Sequence, residues 1–150
     1  MCPWSWGGGT RALVAACLAV AAWPGNAAGE EHVAAEPEGF APVAVAIRND
    51  TGGTLRCVVV LAHFVTVDVA PLAPGQALTL ALDRDAGSGA LGYGSHAGQP
   101  MLVETILCGL DGRWAATRFD LPLTPIRSGD AESYVADCVA AEGVACTLRP

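Results

Sequence analysis

From Val43 onward apolar residues fall at every second position, and this periodicity constrains the fold more than any other feature of the chain. Val43, Val45 and Ile47 alternate with Ala44, Ala46 and Arg48, while Leu78, Leu80 and Leu82 alternate with Thr79, Ala81 and Asp83. Successive side chains of a strand point to opposite faces, so each run carries one apolar face and one that can meet water. Turn chemistry separates the runs at Asn49-Asp-Thr-Gly-Gly-Thr54, Pro71-Leu-Ala-Pro-Gly-Gln76 and Asp85 to Gly89. Leu55 to Val69 is largely apolar on both faces, which predicts a central strand with a bend near His63. Ala90 to Ser95 and Met101 to Cys108 read as a hairpin around Ala97-Gly98. Arg113 to Leu121, Glu132 to Cys138 and Val144 to Arg149 read as further strands, with Asp130 to Ala141 ambiguous between strand and Ala-rich helix. About seven or eight short strands with regular turns predict an all-β, antiparallel β-sandwich.

The segment Ile47 to Leu82 joins an Asn-Asp-Thr-Gly turn, a long Cys-bearing strand, Leu72-Ala-Pro-Gly-Gln76 and an alternating strand. It resembles exported bacterial immunoglobulin-like domains, which implies an immunoglobulin-like sandwich and says nothing of activity. One departure stands out: no Trp lies between Cys57 and Cys108, where antibody-type domains place their core Trp.

The start of the chain points to export. Arg11 precedes an apolar stretch, Ala12 to Trp23, that is shorter than the ~20 residues a membrane span needs and matches a secretory core of ~7–15. Pro24-Gly-Asn-Ala-Ala28 then breaks the helix and supplies small residues for cleavage. Val14-Ala-Ala-Cys17 offers a rival, lipoprotein-type site, but apolar sequence continues beyond it. The expected organisation is a signal peptide over 1–28, an acidic flexible tether over 29–42 and one domain over 43–150. Removing the leader leaves seven arginines against 15 acids and no lysine, a balance of -8. Those arginines are scattered singly, so a nucleic-acid grip is disfavoured.

Four cysteines remain after the leader: Cys57, Cys108, Cys138 and Cys146. An even set in an exported chain predicts two disulfides. Ala141-Glu-Gly143 between two apolar runs would set Cys138 opposite Cys146, with Gly143 left-handed, and leave Cys57 for Cys108.

Chemistry is harder to find. Gly87-Ser-Gly-Ala-Leu-Gly92 has the dinucleotide-binding spacing, but Gly92-Tyr-Gly94 cannot begin the helix that motif requires. Ser88, Ser95, Ser128 and Ser133 lack a nucleophile elbow, and Glu104, Asp68 and Asp120 show no catalytic pairing. His32, in the acidic segment, reads as a solvated side chain. His63, His96 and Met101 could form a copper site if tertiary structure brought them together, with no local chelating pair to help. Leu110-Asp-Gly112 is a tight turn that presents Arg113 and Trp114, residue types that anchor protein interfaces. The expectation is therefore an exported, periplasmic, non-catalytic binding or accessory protein, without a cofactor, whose partner is another exported protein. The alternative is a periplasmic copper-binding protein.

Overall fold

A computed structural model describes residues 39–96 and 99–150, with the backbone alone for Ser95 and His96. The expected leader, His32, the tether up to residue 38 and the Ala97-Gly98 turn lie outside the described residues. In chain order the elements are β1 (Phe40–Asn49), β2 (Leu55–Leu61), β3 (Val65–Asp68), β4 (Ala77–Asp85), β5 (Leu91–His96), β6 (Gln99–Leu110), α1 (Trp114–Thr117), β7 (Phe119–Asp120), α2 (Thr124–Ser128), β8 (Ser133–Ala140) and β9 (Val144–Arg149). Strand β1 begins three residues before the alternation at Val43, within the stretch expected as tether, because Phe40, Ala41 and Pro42 pair with Asp85, Arg84 and Asp83.

The strands hydrogen-bond in the order β3-β2-β6-β5-β4-β1-β8-β9, with β7 added on β6. The path forms two layers because β6 is long enough to serve both: Leu102 and Met101 pair with β5, whereas Val103 to Leu110 pair with β2. The inward residues Val45, Ile47, Leu82, Tyr134 and Ala136 from one layer and Leu55, Val59, Val103 and Ile106 from the other form one buried core. Each such side chain removed from water contributes roughly 1.5–3 kcal/mol. At the crossing point Val60 is opposite Thr105 but Leu61 is opposite Val103, so Glu104 is the extra residue of a β-bulge. The bulge changes which face each residue meets. Leu102 and Glu104 are exposed while Ile106 and Cys108 are buried, although simple alternation places all four on one face.

Two further departures from the sequence reading have local causes. Leu55 to Val69 is a hairpin: Ala62, His63 and Phe64 reverse the chain, and Val65 to Asp68 pair back on Leu61 to Val58. The sandwich also contains one parallel pair, β1 with β8, which a purely antiparallel arrangement lacks. These strands lie near opposite ends of the domain, so the long intervening chain supplies the crossover that parallel neighbours need.

Both disulfides join the expected partners. Cys57 and Cys108 are direct neighbours in register across β2 and β6, with Cα atoms 4.1 Å apart. Cys138 and Cys146 are likewise opposed across β8 and β9, at 4.0 Å. Each bond therefore lies within a layer, unlike the antibody type, which crosses between layers. The Ala141-Glu142-Gly143 loop forms, but Gly143 is not among the left-handed glycines. The loop is closed by the Ala141 N–H donating to the Gly143 carbonyl at 2.8 Å.

The Asn49-Asp-Thr sequon is a structural knot. Asn49 is fully buried, and its Nδ2 donates to the carbonyls of Gly53 at 2.9 Å and Leu72 at 2.8 Å. Its Oδ1 accepts from the Thr51 N–H at 3.0 Å and the Thr51 hydroxyl at 2.6 Å. The amide that a glycan would modify is thus committed to holding the β1–β2 turn against the Leu72 segment.

Candidate contact surface around Trp114

Gly109 is the base on which this surface is built. It sits opposite Arg56 in the β2–β6 register and, being next to the inward Cys108, faces outward. A Cβ on Gly109 would lie 2.9 Å from Trp114 Cε3 and 3.2 Å from Arg118 Cα. The bare α-carbon therefore makes room for the indole and for the backbone that follows α1.

The connection is short and held. The Arg113 N–H donates to the Leu110 carbonyl at 3.1 Å, closing a turn in which Gly112 takes a φ of 73° that other residues adopt poorly. Thr117 is buried, accepts the Leu110 N–H at 2.9 Å and donates to the Arg113 carbonyl at 2.9 Å. Both ends of α1 are thereby tied to β6. From the other side the Arg56 guanidinium carbon stands 5.7 Å from the centroid of the Trp114 ring, within cation–π range. Arg56 is itself oriented by Asp68, its Nε donating to Oδ1 at 3.1 Å. That hydrogen bond, the Asp68 charge and more distantly Asp111 raise the Arg56 pKa above its ordinary value, despite a small opposing effect of burial. Trp114 stays half-buried, with Arg113 and Arg118 exposed beside it. An amphipathic ring and several guanidinium groups, partly immobilised beforehand, can bind a surface with little further ordering.

The expected presentation of Arg113 and Trp114 by a tight turn is present, although a single helical turn follows where a strand was expected. Sequence reading missed Arg56 and Arg118. Alternation could have shown Arg56 pointing outward between Leu55 and Cys57, but only the register places it over Trp114.

The other candidates lie elsewhere. His63 is exposed in the β2–β3 turn with a φ of 62°. Met101 is half-buried opposite Tyr93, and the His96 side chain is outside the described residues. Among the described residues no three His, Cys, Asp or Glu side chains gather as a metal cluster. The Gly87 to Gly92 stretch connects two strands, with no helix behind it. Asp85 Oδ1 accepts from the Ser88 hydroxyl at 2.7 Å, the Ser88 N–H at 2.7 Å and the Gly87 N–H at 3.2 Å. The Ser88 bonds lead in holding its pKa below the ordinary carboxylate value. Ser128 donates to the Thr124 carbonyl at 2.9 Å, and the Thr105 hydroxyl lies 3.2 Å from Asp120 Oδ1. Ser133 and Glu104 are exposed, and the Ser95 side chain is not described.

No described helix is long and apolar enough to cross a membrane. Compared with known proteins, the chain matches no family model and no curated sequence.

Proposed function

We propose that the protein is exported to the periplasm and acts there as a non-catalytic contact module, holding another exported protein against Arg56, Arg113, Trp114 and Arg118. The observation that carries this reading is the mounting of Trp114: it rests on Gly109, lies beneath Arg56 and remains half-exposed. Aromatic and arginine anchors dominate binding energy when their own ordering cost is already met. The leader and the two disulfides support an oxidising compartment.

The test is site-specific photo-crosslinking from position 113 in the native compartment, with and without Trp114→Ala. The expected result is one dominant crosslinked partner, lost in the variant while thermal unfolding of the free protein changes little. Crosslinks that persist unchanged in Trp114→Ala would reject the surface. Stoichiometric copper bound at submicromolar affinity and lost on His63→Ala would replace this reading with the metal-binding one.

A further inference from the structure

The opposite end of β2 carries a second surface. His63 and Phe64 have φ values of 62° and 60°, so the hairpin tip uses successive left-handed positions that Asn-Gly occupies far more easily. Phe64 is nevertheless 89% exposed, and Val65 and Leu102 beside the turn are 42% and 46% exposed. From Val58 to Val67 the hairpin holds no carboxylate and no guanidinium, in a chain whose net charge is negative. Next to this tip the surface sinks into a hollow of about 290 Å³ lined by Ala62, Leu91, Leu102, Val103, Glu104 and Arg127. Ala62 belongs to both the tip and the hollow, so knob and hole are adjacent.

We propose that a second copy of this chain docks here, the Phe64 ring of each entering the hollow of the other across a two-fold axis. A two-fold contact requires one patch to be complementary to itself, and an apolar knob beside an apolar hole of sufficient volume satisfies this directly. Charge favours the same occupant. The tip brings no acid to the contact, while the hollow offers one acid and one base, Glu104 and Arg127. Two phenyl rings and the walls that receive them remove roughly 600–800 Å² from water, below the ~1,200 Å² of a standard stable interface. The dimer is therefore weak, with a Kd on the order of 100 μM. It leaves Trp114, at the far end of β2, free on both copies, so it stands apart from the proposed partner contact.

The test is sedimentation velocity on the full oxidised chain from about 10 to 500 μM, a range spanning the expected Kd. The wild-type chain should shift from monomer to dimer. Phe64→Ser should raise Kd at least tenfold, and Leu102→Glu should do the same by charging the rim. Mixing these two variants should form a heterodimer tighter than either variant alone, because one knob and one hole are restored. Replacing His63-Phe64 by Asn-Gly should abolish the dimer while raising the melting temperature, which separates contact from folding. A monomer throughout the range, a dimer indifferent to Phe64→Ser or no heterodimer on mixing would overturn the proposal. So would phosphatidylglycerol-containing vesicles that bind the monomeric wild-type chain and not Phe64→Ser, since these would assign the tip to lipid.

Discussion

Replacing Asn49 by Ala tests whether the β1–β2 turn depends on one buried amide. The substitution removes four hydrogen bonds, two donated by Nδ2 and two accepted by Oδ1. Their partners differ in what they keep. Leu72 O still accepts from the Leu55 N–H, and Gly53 O still accepts from the Thr51 hydroxyl. The Thr51 N–H is left buried with no acceptor. An orphaned buried donor costs roughly 1–3 kcal/mol, and each of the two carbonyl bonds lost adds about 1 kcal/mol, for a total near 4 kcal/mol. For a domain of this size that corresponds to a fall in Tm of about 15 °C. Thermal and urea unfolding of the oxidised protein, followed by far-UV circular dichroism, measures it. Asn49→Asp sharpens the result: it turns a carboxylate oxygen towards two carbonyls, so it should be worse than Ala at neutral pH. Protonation relieves this repulsion, so the variant should regain ground as pH falls below its raised folded pKa. A loss under about 0.5 kcal/mol for Asn49→Ala, within the range of ordinary surface substitutions, would refute the reasoning.

Gly109→Ala places a methyl 2.9 Å from Trp114 Cε3 and should displace the indole, at a cost of about 1–3 kcal/mol. A red shift in tryptophan emission reports the displacement; an unchanged spectrum and unchanged stability would show that the ring does not rest on this glycine. Removing Cys57–Cys108 by paired Ala substitution should destabilise more than removing Cys138–Cys146, since the closed segments differ in sequence separation, 51 against 8. Chain entropy puts that difference at roughly 1.5 kcal/mol, and equal urea midpoints for the two double variants would contradict it. Ser88→Ala should raise the Asp85 pKa towards the ordinary value near 3.9, measured by carboxyl NMR titration. Because the folded pKa is depressed, the Asp85 turn stabilises above that ordinary value and its contribution fades as pH falls through the folded one. An Asp85 pKa unchanged by Ser88→Ala would rule out the serine as the cause.

Alternation made the strands legible wherever one face is buried and the other solvated. Val43, Val45 and Ile47 are buried as their spacing indicates, and the cysteine pairing followed from the turn around Glu142. Reading failed where tertiary pairing overrides local pattern. Val65 and Val67 continue the alternation of β2 without interruption, and the chain reversal at His63-Phe64 has no glycine or asparagine to mark it. The Glu104 bulge is equally silent, because an extra residue in β6 is defined only against β2. Of the contact surface, Arg113 and Trp114 were visible as residue types beside a turn. Arg56 joins them through register alone, more than 50 positions away.

The parallel pairing of β1 with β8 governs the order in which this protein can acquire its structure. Ala44 to Asn49 find one set of partners in Ala77 to Leu80 and the other in Ser133 to Cys138. The second set lies about 90 residues downstream, so this contact carries a high loop-closure cost and slows the final step of folding. A chain emerging N-terminus first from a pore would hold β1 with one edge open until nearly the whole sequence had passed. The sheet therefore cannot close behind the pore while the rest of the chain is still crossing, and completion of the fold becomes an event of arrival.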